Sequence, residues 1–492
     1  MQTLDLIALG IYAIVLVGIG VWGFYKVKTA NDFFVGGGKV PWWLSGVSHH
    51  VSGYSAVVFT GYASIAYRNG ISIYLWWAAS IAVMVFIGSN LIAPRWARLR
   101  KELAIQSPTT YLATRYGLLT QQFIVWSGVL LKLLDVAAKW VAIGVILKGF
   151  VGIDVHVGIL IGSVLSLVYI TFGGFWADLA NDFFQFMLQI VAGLLMFFAV
   201  ISHFGGWEGF VAAWQMLPEQ NRSFFNEPYD AWYTIFFALI IFMSYNGGTW
   251  NLAMRFMSSP DARDAQRSAR LSAVLYAFWP IVLFIPMWIS PIIFPGLVTE
   301  AQTGAVYSLL AEKFIPVGLY GLVLGGMVAA TLTMTASDTN AISAVITQDV
   351  LPVLWPKKFS TGTTSLAAAR ITTLLFMLAT ILIAWNNSYF GGITGLIITW
   401  FGALIGVSAL PLLLGLLPMF KKCDQTAAIT TMVTGFGVFA LTKVIDMPYS
   451  LSVGLPSLTA LIVFASFAIL NRKRVCSIEV ERIVNVASGI ES

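Results

Sequence analysis

Apolar residues fall along this chain in long blocks separated by short polar connectors. About thirteen blocks reach or approach the roughly 20 residues that a helix needs to cross a bilayer. Their approximate bounds are 5 to 25, 42 to 67, 73 to 94, 120 to 149, 154 to 172, 180 to 202, 232 to 254, 271 to 295, 315 to 346, 367 to 385, 391 to 418, 427 to 443 and 451 to 470. The pattern predicts an all-α polytopic membrane protein. Two blocks are interrupted: Val47 to Gly61 reads VSHHVSGYSAVVFTG, and Ser244 to Thr249 reads SYNGGT. A helix in hydrocarbon cannot leave backbone groups unpaired, so such breaks mark backbone that opens onto a protein-lined cavity. One broken span in each half of a chain points to an inverted-repeat transporter with its site at the repeat interface.

Composition narrows the class. Only 10% of the 492 residues are charged, against about 25% in soluble domains, which excludes a soluble multi-domain enzyme. The net charge of +6 reads as topology rather than as a nucleic-acid surface. With the N-terminus outside and the C-terminus cytoplasmic in the plasma (inner) membrane, about twenty-one Lys and Arg fall in cytoplasmic loops, Arg115 and Arg255 among them. Only Arg68, Arg222, Lys313 and Lys443 fall outside. Lys26 and Lys28 follow the first apolar run, so that run is a retained helix and not a signal peptide. Cys423 and Cys476 support neither a disulfide framework nor a thiolate site. The connector from His203 to Asp230, with Trp207, Trp214, Pro218 and Pro228, either covers the outer mouth or is an interfacial connector with aromatic anchors. The tail after Leu470 is too short for a further domain. No nucleic acid and no obligate protein partner are implied; the partners are a small organic solute and the lipid bilayer.

Charges inside spans face the bundle interior or a water-filled route. The block VLLKLLDVAAKWVAIGVILK places Lys132, Asp135 and Lys139 within about 60 degrees of one another on a helix. Asp135 neutralises one lysine. The other either holds a substrate carboxylate or joins a salt-bridge network with Asp338. Thr333, Ser337 and Asn340 repeat at i, i+4 and i+7 as one polar stripe, and Thr331, Thr335 and Asp338 form a second. Such stripes serve either a site or the hydrogen bonding that glues membrane helices together. His49 and His50 precede the first break, and one of them faces the cavity as a neutral hydrogen-bond partner. His156 and His203 lie elsewhere, and no nucleophile-base pair or metal-ligand set has catalytic spacing, so the chain is not an enzyme.

Five segments carry a resemblance: TANDFFVGGGKVPWW, QSPTTYLATRYG, YITFGGFWADLANDFFQ, MRFMSSPDARDAQRS and GGMVAATLTMTASDTNAISAVITQDV. Together they resemble the sodium:solute symporter family over most of the chain, with Asn181 where Thr is usual and Met334 where many members carry a hydroxyl. The resemblance implies a leucine-transporter-type fold. Residues 1–40 would form an extra N-terminal helix and loop, 41–203 the first five-helix repeat, 204–231 an outer loop, 232–418 the second, inverted repeat, and 419–492 two trailing helices and a tail.

The same resemblance implies Na+ as coupling ion and as the only metal. The sodium ligands would be the carbonyls of Val51, Tyr54 and Ala330 and the hydroxyl of Thr333, with Ser337 one turn on. Asp182 with Ser337 is the position for a second sodium, although Ala336 precedes the serine, and Asp178, four residues earlier, could instead be a solvated loop acid near the helix start. Sugar-transporting relatives hold their hexose with groups that here align to Val58, Leu75, Thr249 and Ile397, so the galactose set is missing. The remaining solute-binding candidates are His49, His50, Ser55, Tyr74, Trp77, Lys139, Tyr245 and Asn246. The expected function is sodium-coupled import of a small organic solute (a sugar, a sialic-acid-like compound or another organic acid) by alternating access. The alternatives are proton coupling through Asp182, Asp338 or the histidines, and a transporter-like solute sensor.

Overall fold

The computed structural model describes residues 3–359, 365–386, 405–445 and 447–490. Its principal helices are α1 (Thr3–Lys26), α2 (Trp42–Val51), α3 (Gly61–Asn69), α4 (Ser80–Leu91) and α5 (Leu118–Val151). Then come α6 (Val155–His203), α7 (Ala231–Met243), α8 (Asn251–Met257), α9 (Ala262–Ile293) and α10 (Leu319–Val345). The last are α11 (Leu366–Trp385), α12 (Gly406–Leu414), α13 (Gln425–Val444), α14 (Tyr449–Leu470) and α15 (Ile478–Ser488). Several starts are set by a polar residue in the preceding connector. Asp154, Asp230, Asp261, Ser365, Asp424 and Ser477 each accept a first-turn backbone N–H, which satisfies donors that lipid cannot.

Among the described residues, nine helices are long and apolar enough to cross a membrane. Leu118–Val151 and Val155–Val168, set at 117° to each other, pass together as a tenth. Unbroken helices therefore do not reach the expected thirteen. The block from 42 to 67 is cut into short helices by its own break, and most of the block from 391 to 418, with Ile397, lies outside the described residues.

Burial orders the bundle. α1 packs on α6 and α10, α9 on α2 and α4, and α5 on α6, α10 and α11, while α14 lies against α13, α7 and α12. The span containing α10 has 78% of its apolar window enclosed, against 24% for α1, so the helix richest in Ser and Thr is central and the first helix faces lipid. Hydroxyls on α10 also return to their own helix: Thr335 bonds the Thr331 carbonyl at 2.9 Å and Thr339 the Thr335 carbonyl at 2.7 Å. That satisfies the group without a partner helix. Asp5 on α1 accepts the N–H groups of Gly318 and Gly321 at 2.8 and 3.1 Å, and so caps the start of α10.

The connector between α6 and α7 is itself helical over Trp207–Gln215 and Glu219–Arg222. It is pinned to the end of α3, where Asn221 donates to the Tyr67 carbonyl at 2.8 Å and accepts from the Ile71 N–H at 3.0 Å. Arg115 is buried, and its guanidinium caps the carbonyls of Gly415, Cys423 and Phe420 at 3.0, 2.7 and 2.6 Å.

α6 bends at Gly174, where φ is 52° and ψ is −145°, a conformation open only to glycine. A Cβ there would meet Phe33 Cδ2 at 2.6 Å. Gly174→Ala is expected to lower stability by about 1–3 kcal/mol, seen as a lower Tm of the detergent-purified protein. Gly10→Ala, whose new methyl has nothing within 4 Å, is the matched control and should leave Tm unchanged or slightly raised.

Candidate functional site

The first break is a built turn. α2 stops at Val51, and Ser52, Gly53 and Tyr54 turn back on it through N–H bonds to Ser48, His50 and Val51 carbonyls at 2.9, 3.2 and 2.9 Å. Ser55 restarts a short helix, Ala56–Phe59, by accepting from the Val57 N–H. One donor freed by the break is taken by a different helix: the Ala56 N–H bonds Thr331 Oγ1 of α10 at 2.7 Å. Gly53 is glycine because Tyr276 fills the adjoining space; a Cβ would lie 1.8 Å from its hydroxyl.

The second break follows α7. Ser244–Gly248 widens into a π turn, Gly247 has φ 118° and Trp250 φ 66° before α8 resumes. His49 fastens the two breaks together. Its Nε2 lies 2.9 Å from the Tyr245 carbonyl and its Nδ1 lies 2.8 Å from Ser272 Oγ on α9. A carbonyl only accepts, so Nε2 carries a proton and donates it to the Tyr245 carbonyl. His49 is therefore a clamp between the two breaks. The ring of His50 is enclosed by Tyr54, Tyr276 and Phe186.

Between the two breaks lies a cavity of about 100 Å³. Of the eight solute candidates, Ser55, Trp77, Lys139 and Tyr245 line it. His49, His50, Tyr74 and Asn246 are outside the lining. Tyr74 donates to the Ala277 carbonyl at 2.8 Å, and Asn246 donates to Met84 and Phe242 carbonyls at 3.2 and 2.9 Å. Tyr62, Phe237, Ser244, Thr249 and Asn251 are not among those candidates, yet all five line the cavity. Ser244, Thr249 and Asn251 sit in or beside SYNGGT, and that motif was their signal. A π turn shifts the helical phase by about one residue, which turns Asn246 away and brings its neighbours round.

Beside the cavity, α6, α8 and α10 bring together a second polar group. Arg255 Nη2 lies 2.6 Å from Asp178 Oδ2, 3.2 Å from Asp182 Oδ2 and 3.2 Å from Ser52 Oγ. The same nitrogen contacts Ser337 Oγ, which donates to Asp178 at 2.9 Å. Ser48 donates to Asp182, and Asn181 Nδ2 donates to Thr333 Oγ1 at 2.8 Å. Two expectations are corrected here. Asp178 is not a solvated loop acid, because α6 runs unbroken from Gly174 through it and buries it completely. Arg255 is not a loop cation; it is 0% exposed, drawn inward by two carboxylates. Val51, Tyr54 and Ala330 are buried around the break and α10. Asn340, third in the Thr333 stripe, holds the Phe34 carbonyl at 3.0 Å.

The lysines of α5 are paired by both acids. Lys132 Nζ lies 2.6 Å from Asp338 and 3.2 Å from Asp135, and Lys139 Nζ lies 2.6 Å from Asp338 and 2.8 Å from Asp135. Of the two sequence alternatives, the network with Asp338 is the one formed.

Opened helices facing one cavity, buried charges paired inside the chain and a largely apolar exterior define a multi-pass membrane transporter. The model of the family described as "Sodium:solute symporter family" matches residues 33–435. The chain belongs to that family and is a sodium-coupled symporter of a small organic solute. Among its relatives, the sodium/sialic acid symporter of Proteus mirabilis is 25% identical over 69% of each chain. The sodium/pantothenate symporter of Escherichia coli is 22% identical over 91% of this chain and 92% of that one. In fold the chain resembles a substrate-bound, outward-open Na+-coupled sialic acid symporter, with TM-score 0.75 and 19% identity over 95% of this chain and 98% of that one. It also resembles the nucleobase-cation-symport-1 transporter Mhp1, with TM-score 0.59 and 13% identity over 94% of this chain and 100% of that one.

Removing the cation between two buried acids strands both. Arg255→Gln is expected to cost about 3–5 kcal/mol, measured by thermal or chemical denaturation in detergent. Adding Asp178→Asn should recover part of that loss. A wild-type Tm in Arg255→Gln would show that the ion pairs contribute nothing.

Proposed function

We propose that one sodium ion binds where the first break meets α10, held by the carbonyls of Val51, Tyr54 and Ala330 and the hydroxyl of Thr333, and that the solute binds in the adjoining cavity. The observation that carries this reading is the enclosure of one cavity by both broken helices, with α10 already bonded to the freed backbone through Thr331 and Ala56. The Tyr54 N–H uses only one lone pair of the Val51 carbonyl, leaving the other for an ion.

Sodium at this junction ties the broken helix to α10 and raises the population of the outward-open, solute-competent state. Release of sodium on the cytoplasmic side then loosens the junction and lets the solute go. The proposed orientation in the plasma membrane is N-terminus outside and C-terminus in the cytoplasm, from the Lys and Arg asymmetry.

We assign Ser337 and Asp182 to Arg255 rather than to a second sodium. The guanidinium already touches both, and Ala336 adds no hydroxyl. Proton coupling is the weaker reading, since Asp338 is shared by two lysines and His49 has both nitrogens engaged.

Thr333→Ala is expected to raise the sodium concentration for half-maximal uptake in proteoliposomes by about tenfold, the loss of roughly 1.4 kcal/mol of ligand energy. Its Tm without sodium should stay near wild type. An unchanged sodium dependence would remove Thr333 from the ion site. Uptake that follows a proton gradient at fixed sodium would replace the coupling ion, and solute binding without flux would favour a sensor.

A further inference from the structure

The cavity wall contains three charged side chains, Lys132, Asp135 and Lys139. With Asp338 from α10 they close a ring in which each ammonium touches both carboxylates, at 2.6 to 3.2 Å. Two positive and two negative groups sum to no net charge. The four side chains are between 0% and 7% exposed, so water screens them little and their mutual attraction is at its strongest. Asp135 reaches both lysines because they lie three residues before it and four after it on the same helix, and Asp338 completes the ring from across the interface.

A saturated ring offers little to a charged solute. A carboxylate entering the cavity gains Lys139 only by drawing it away from Asp135 or Asp338, which leaves a buried acid without its full complement. An amine faces the same exchange with the lysines. Elsewhere the wall carries uncharged donors and acceptors, Ser55, Ser244, Thr249 and Asn251, with the aromatic faces of Trp77 and Tyr245. Such a surface reads hydroxyl groups and ring faces.

We propose that the Lys132–Asp135–Lys139–Asp338 ring is the charge filter of this symporter: it keeps the cavity electrically neutral, selects an uncharged polar solute of the polyol or sugar class, and excludes organic anions and cations. The proposal rests on the reading that this cavity is the solute site. It also implies that unbalancing the ring on one side admits solutes of the opposite sign. Asp135→Asn leaves one net positive charge beside the cavity, and Lys139→Gln leaves one net negative charge.

The test is solute binding to purified full-length protein in sodium or potassium, read by thermal shift. The probes are myo-inositol and glucose (uncharged), pantothenate and sialic acid (anionic), and choline (cationic). Wild type should be stabilised by an uncharged probe and by neither anions nor choline. Asp135→Asn should bind an anion at least about tenfold more tightly than wild type does, and Lys139→Gln should do the same for choline. Loss of packing alone does not produce opposite preferences from neighbouring positions. The double variant Asp135→Asn/Lys139→Gln keeps the neutral pair Lys132–Asp338 and should return the wild-type ranking, which guards against misfolding of either single variant. Preference of the wild type for an anion would overturn the charge filter and leave the transport reading intact. So would single variants that rank the probes as wild type does. A ranking by charge that is the same in sodium and in potassium would instead overturn sodium coupling and support the filter.

Discussion

An apolar bundle with charges in its middle holds together only if every charge finds a counter-charge or hydrogen-bond partners inside the chain, because lipid supplies none. Among the described residues, seven buried charged side chains are placed by one another, while buried Arg115, Asp5 and Asp349 are met by carbonyls, backbone N–H groups and hydroxyls. Arg255 answers Asp178 and Asp182, and the two α5 lysines answer Asp135 and Asp338. These pairs run between helices more than within them: α6 to α8, and α5 to α10. Hydrophobic burial does little to choose among helix neighbours in a solvent as apolar as the side chains themselves. The ion pairs and hydroxyl bonds therefore do much of the specifying, and they bring residues from both halves of the chain to one place.

The same constraint explains the breaks. Backbone groups released where a membrane helix opens need partners, and here they are supplied by helices distant in sequence. Thr331 takes the Ala56 N–H, His49 takes the Tyr245 carbonyl, and Trp96 Nε1 donates to the Asn246 carbonyl at 3.0 Å. None of these is an interlocked apolar contact, so each can be exchanged for another partner at modest cost. That property suits a junction that must form and release in a transport cycle, and it places the proposed sodium where one more oxygen-seeking group changes the balance between states.

Much of this was legible in the sequence. Both breaks follow from glycine and polar residues at mid-span, and the Lys132–Asp135–Lys139 spacing shows that the three share a face. The central place of α10 follows from hydroxyls in an otherwise apolar run. Which neighbour each polar group meets was not legible, because that is a relation between helices. A solvated position for Asp178 near a helix start was open in the sequence, whereas Gly174 bends α6 without ending it and the residue is buried. Arg255 read as a loop cation since it follows an apolar run, whereas two carboxylates more than seventy positions away hold it inside. Asn246 read as a ligand because it sits in the SYNGGT break, but the π turn there sets it behind the wall while Ser244, Thr249 and Asn251 line the cavity.

The measurement that tests the account most directly is the ratio of sodium to solute moved together, taken in proteoliposomes with radiolabelled sodium and an uncharged solute that binds. A tethered guanidinium in place of a second ion predicts one sodium per solute, with one positive charge entering per cycle and a sodium dependence of Hill coefficient near one. Two sodium ions per solute would contradict the assignment of Arg255 and restore Asp182 and Ser337 to an ion site. Solute flux with no accompanying sodium would contradict the coupling itself.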